Sequence, residues 1–86
     1  MEGNRLILND GTTIENGSAG YADGSVWLYL PGYTMQQAAA FAFDSSKTSS
    51  ITYQYGDMQD VYTGYTDCVG MLTNYDGLVS VCMKQP

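Results

Sequence analysis

With 86 residues, 44% of them hydrophobic and 13% aromatic, the chain is long enough for one modest core and too rich in aromatics to read as disordered. Nine acidic against three basic side chains give a net charge of −6, which argues against a phosphate-binding surface built on Lys and Arg and against anionic membranes. The absence of histidine removes most familiar acid–base, metal and nucleophile sets.

The expectation is therefore a single domain over 1–86 with no direct nucleic-acid or membrane partner. No apolar run nears the roughly 20 residues that span a bilayer. The start, Met1-Glu2-Gly3-Asn4-Arg5, has no cationic stretch followed by an apolar core, so the reading is a cytosolic product or one assembled into a particle inside the cell.

Asp10-Gly11, Asp23-Gly24 and Asp76-Gly77 each sit beside a run of alternating apolar residues. Glycine accepts positive φ and aspartate can bond its own backbone two residues on, so these steps predict tight reversals. Leu6-Ile7-Leu8 and Thr12-Thr13-Ile14 make an opening hairpin, with Ile7 and Ile14 as candidates for its buried face. Asn16-Gly17 is a second turn signal, and Ser18 to Asp23 reads as a loop or an irregular strand. Ser25 to Leu30 is the strongest strand. Val26, Leu28 and Leu30 fall on one of its faces, Trp27 and Tyr29 on the other. Both faces are apolar, which means either a central strand covered on both sides or an aromatic pair left for a partner.

Pro31-Gly32 ends that strand, and Thr34 with Gln37 three residues on has the spacing of a capping box. A helix is predicted over about Met35 to Phe43, burying a stripe of Met35, Ala38, Ala39, Ala42 and Phe43, with Phe41 at its rim or exposed. Asp44-Ser45-Ser46 opens an exit loop. Ser50 to Tyr55 alternates Ile51, Tyr53 and Tyr55 against polar residues. A turn over Gly56 to Asp60 follows, and Val61 to Tyr65 pairs back. Asp67 to Thr73 and Leu78 to Lys84 close the chain as a hairpin. A three-residue loop ending at Gly77 would set Val69 and Met71 on the face of Val79, Val81 and Met83. The predicted fold class is α+β, an antiparallel sheet of hairpins with one short helix packed across it.

Cys68 and Cys82 would share a face in that register. A reducing cytosol favours free thiols, and neither has a neighbouring cation to activate it. The carboxylates of Asp57, Asp60 and Asp67 match no calcium-loop spacing. No metal and no cofactor are expected, nor is catalysis. Tyr53, Tyr55, Tyr62 and Tyr65 cluster with Asp57, Asp60 and Asp67 interleaved, an acidic-aromatic pattern suited to a basic protein partner. Trp27 and Phe41 are candidate apolar anchors if exposed.

The run Leu6-Ile7-Leu8-Asn9-Asp10-Gly11-Thr12, the later Gly20-Tyr21-Ala22-Asp23-Gly24, the Trp27-Leu28-Tyr29-Leu30 strand and the Asp76-Gly77 ending resemble short acidic proteins encoded in prophages of gut bacteria. That resemblance implies one of two classes. One is the anti-CRISPR inhibitors, acting in the host bacterium's cytoplasm, where carboxylates stand in for phosphates in the basic channel of an RNA-guided nuclease. The other is the small virion or tail accessory proteins, which oligomerise through exposed strands. A homodimer is compatible with the first.

Overall fold

The computed structural model describes residues 3–86. In chain order they form β1 (Asn4–Ile7), β2 (Thr13–Glu15), β3 (Ser18–Ala22), β4 (Ser25–Leu30), α1 (Met35–Ala42), α2 (Ser45–Thr48), β5 (Ser50–Tyr55), β6 (Met58–Thr63), β7 (Asp67–Thr73) and β8 (Val79–Lys84). All pairings are antiparallel. The strands divide into two four-stranded sheets, ordered β2-β1-β5-β6 and β3-β4-β8-β7. This is compatible with α+β, but with two sheets in place of the single expected one, and two short helices in place of one.

The Asp-Gly steps make the predicted turns. Asp23 and Gly24, at φ 53° and 79°, join Ala22 to the opposite Ser25. Positive φ at both central residues is the two-residue turn whose twist suits flanking strands. In the closing hairpin Asn74 N–H donates to Leu78 O at 3.1 Å, and Gly77 sits at φ 86°, as a three-residue loop requires. The run from Ser18, read as a loop or an irregular strand, is the regular strand β3, because the turn at Asp23 holds it in register against β4.

One core is lined by the inward faces of both sheets and by α1. Val26, Leu28 and Leu30 from β4 meet Val79, Val81 and Met83 from β8, all at 0–1% exposure. Burying each such side chain contributes about 1.5–3 kcal/mol. From the other sheet come Leu6, Ile14 and Ile51. Here the reading of Ile7 is corrected. Leu6 lies opposite Ile14, so Ile7, opposite Thr13, must face outward and is only half-buried.

The capping box at the start of α1 is complete: Gln37 N–H donates to Thr34 Oγ1 at 3.0 Å, and Thr34 N–H to Gln37 Oε1 at 2.9 Å. Its buried face differs from the predicted stripe. Ala38, Phe41 and Ala42 point inward, while Met35 and Phe43 are exposed. The two phenylalanines lie about 200° apart on a helix, so only one can enter the core. Phe41 does, packing edge-to-face on Tyr33 at 6.3 Å. The expected exit loop holds α2, capped by Asp44, whose carboxylate accepts from Ser46 N–H at 3.0 Å.

The closing hairpin departs from its expected register at one residue. Met71 faces Val81 as predicted, but Cys68 lies opposite Met83 and Gly70 opposite Cys82, leaving Val69 unpaired in a bulge. The extra residue resets the alternation. Val69 is therefore exposed, and Cys68 and Cys82 fall on opposite faces of the sheet.

Candidate functional site

Alternation along β5 places Ile51, Tyr53 and Tyr55 on one face, progressively farther from the core. Ile51 is fully buried, and both tyrosines are half-buried. The reversal into β6 takes only Gly56 and Asp57, with Gly56 at φ 56°, so β6 begins at Met58 and the longer turn expected to run through Asp60 is corrected. That short turn fixes the register: Tyr55 opposite Met58, Tyr53 opposite Asp60, Ile51 opposite Tyr62. Opposed residues share a face. Tyr53, Tyr55, Asp60 and Tyr62 therefore extend the inward face of this sheet beyond the core to the surface.

The rings then organise one another. Tyr53 and Tyr55 lie 4.6 Å apart between centroids, and Tyr62 meets Tyr65 edge-on at 6.4 Å. Tyr65 in turn meets Tyr21 of the second sheet edge-on, also at 6.4 Å. Tyr53, Tyr62 and Tyr65 pack against the core, which holds the cluster in one arrangement. Such aromatic pairs contribute about 0.5–1.5 kcal/mol each beyond area burial.

Tyr55 Oη donates to Asp60 Oδ2 at 3.1 Å. That bond, helped by desolvation and the carboxylate's charge, raises the Tyr55 phenol above its ordinary value. Desolvation, then the Asp60 charge, raises Tyr62 as well. Both phenols are neutral donors at physiological pH, leaving Asp60 and the nearby Asp57 as the negative charge of this arm. None of the cations of the chain shares the face of Asp60: Arg5 lies between Glu15 and Gln54 on the outward face of the same sheet, Lys84 lies across from Asp67, and Lys47 lies beside Asp10 and Asp44. Asp10 and Asp44 serve the local fold. A backbone bond from Thr12 N–H (2.9 Å) holds Asp10 below the usual carboxylate range, and a bond from Ser46 Oγ (2.6 Å) does so for Asp44.

Of the residues singled out in the sequence, the fold gathers Tyr53, Tyr55, Asp60, Tyr62 and Tyr65, with Asp57 exposed at the tip of the same hairpin. Three are placed apart. Asp67 begins β7 in the other sheet, opposite Lys84. Trp27 is half-buried on the outward face of that sheet, between Gly20 and the buried Cys82. Phe41 is a core residue and cannot anchor a partner. Tyr21 was missed. Its signal was the alternation Ala19-Gly20-Tyr21-Ala22 running into an Asp-Gly turn, which marks a strand.

Cys68 and Cys82 are free, and burial raises the Cys68 thiol above its ordinary value, so it lacks the thiolate character of a nucleophile. Among the described residues there is no pocket, no group of side chains spaced to hold a metal ion, and no helix long and apolar enough to cross a membrane. Compared with protein-family models, curated proteins and solved structures, the chain matches none.

Proposed function

We propose that this chain is a non-catalytic, phage-derived protein-binding module that docks its tyrosine–aspartate arm, Tyr53 to Tyr65, onto a basic surface of a host protein. One observation carries the reading: Tyr53, Tyr62 and Tyr65 are held against the core, Tyr55 stacks on Tyr53 and bonds Asp60, and no Lys or Arg lies opposite the acids of this hairpin. Tyrosine supplies contact area at low entropic cost, and a surface already ordered before docking avoids an ordering penalty. Uncompensated carboxylates steer a cationic partner and reject anionic ones.

In its specific form the partner is a nucleic-acid-binding defence enzyme such as an RNA-guided nuclease, with Asp57 and Asp60 occupying positions that phosphates would take. The test is capture from host lysate at low and high salt, using the wild type and an Asp57→Ala, Asp60→Ala double variant. The reading expects a basic protein captured at low salt, released at high salt and lost with the variant. In the specific form, that protein no longer binds its nucleic acid. Capture unaffected by the double substitution contradicts it. Salt-insensitive rings or filaments of the chain itself would point instead to a virion component.

A further inference from the structure

We propose that the free edge of β6 receives an extended, basic segment of the partner as an added strand. This rests on the docking reading and specifies how the docking is made. Two sheets leave four edges, at β2, β6, β3 and β7. Natural sheets blunt such edges by shortness, bulges, charge or cover. Strand β2 has three residues, β7 carries the bulge at Val69, and β3 runs beside β1 and β5 of the other sheet. Strand β6 has only one of these devices, the inward-facing charge of Asp60. It is six residues long and paired in unbroken register, and it carries no proline, lysine or arginine. Met58 and Val61 are 62% and 52% exposed along it.

The hydrogen-bond phase of this edge follows from the turn. Antiparallel pairs alternate between exchanging and not exchanging backbone bonds. The two-residue turn makes Tyr55–Met58 an exchanging pair, so Tyr53–Asp60 and Ile51–Tyr62 are too. The bond from Gly64 N–H to Ser49 O at 3.2 Å fits the same phase. Gln59, Val61 and Thr63 therefore turn their N–H and C=O groups away from β5, and among the described residues none of these groups has a backbone partner. Strand addition satisfies such groups and leaves specificity to alternate side chains.

Those side chains define the occupant. A residue added beside Asp60 completes the row Leu6, Tyr53, Asp60, and a guanidinium there meets a carboxylate flanked by aromatic rings. On the reverse face the position beside Val61 suits an apolar β-branched residue. A second copy of this chain is a poorer occupant, since it would bring another net charge of −6 and a second Asp60 to the same edge.

The experiment follows amide hydrogen exchange in the isotopically labelled full chain on adding a blocked hexapeptide that alternates arginine with valine. Exchange at Gln59, Val61 and Thr63 should slow about tenfold or more, as new backbone bonds imply, and the β3 and β7 edges should not change. The same peptide N-methylated on alternate amides keeps its charge and loses its donors, and it should bind about tenfold more weakly. Val61→Pro removes one outward donor without touching a bond to β5 and should weaken binding similarly. Where that variant fails to fold, the methylated peptide carries the same comparison. Equal binding of the methylated peptide overturns strand addition and leaves the docking face standing. Equal binding of a glutamate–valine peptide, slowing at β3 or β7, or no slowing at millimolar peptide also overturns it.

Discussion

Strands β4 and β8 and the β5–β6 hairpin are similarly dense in β-forming residues, yet they meet solvent in different ways. Each of the first pair has a hydrogen-bonded neighbour on both sides, and its inward residues are aliphatic and sealed. The hairpin has a neighbour on one side only. Its inward face turns from Ile51 to the half-buried Tyr53, Tyr55 and Tyr62, of which Tyr53 and Tyr62 pack on the core and Tyr55 bonds Asp60. An aliphatic face at that edge would be an aggregation hazard. Tyrosine with a carboxylate beside it is a surface that stays soluble and still offers contact area. One region is sealed inside the fold; the other carries the core out to solvent.

That division has measurable consequences. Leu28→Ala should destabilise the protein by about 2–5 kcal/mol, because a fully buried leucine leaves a cavity between β4 and β8. The edge-on packing of Tyr62 on Tyr65 should survive in the fraction that folds. Denaturant unfolding and aromatic NMR contacts check both halves. Gly17→Ala should cost about 1–3 kcal/mol by overpacking, since an added Cβ would sit 3.0 Å from Ile14 Cγ2 and 3.1 Å from Leu6. A neutral result there would mean that the first sheet's core relaxes more readily than its burial implies.

The smallest effect belongs to the arm itself. The Tyr55–Asp60 bond exists only while the phenol keeps its proton, so the folded protein holds that proton to higher pH than the unfolded chain does. Its stabilisation is present below the unfolded phenol value of about 10 and is lost as pH rises above that through the folded value. Asp60→Ala should bring the Tyr55 titration down toward the ordinary phenol, read by phenolate absorbance. No change on substitution would show that desolvation alone sets it.

Much of this was readable from local chemistry. The turns at Asp23-Gly24 and Gly77, the faces of β4 and the Thr34–Gln37 cap each depend on a few adjacent residues, and each formed as their types dictate. Other features depend on partners distant in sequence. Nothing near Asn4 announces that β1 pairs with β5, or near Ser25 that β4 pairs with β8, and those two pairings are what split one expected sheet into two. A helix face made mostly of alanine fixes its own rotation weakly, so the contact with Tyr33 decided that Phe41 and not Phe43 is buried. The bulge at Val69 breaks no visible alternation, and only the adjacent Gly70 hints at it. The tyrosine arm was legible in its four nearby members and not in Tyr21, which arrives from the other sheet.

The most direct measurement is hydrogen exchange on the labelled chain, free and with the basic protein proposed as its partner. Slower exchange across residues 53–63, with Trp27, Tyr29 and Leu72 on the other sheet unchanged, is the predicted result. Slowing confined to that second face, with the hairpin untouched, would contradict the assignment of recognition to the β5–β6 arm.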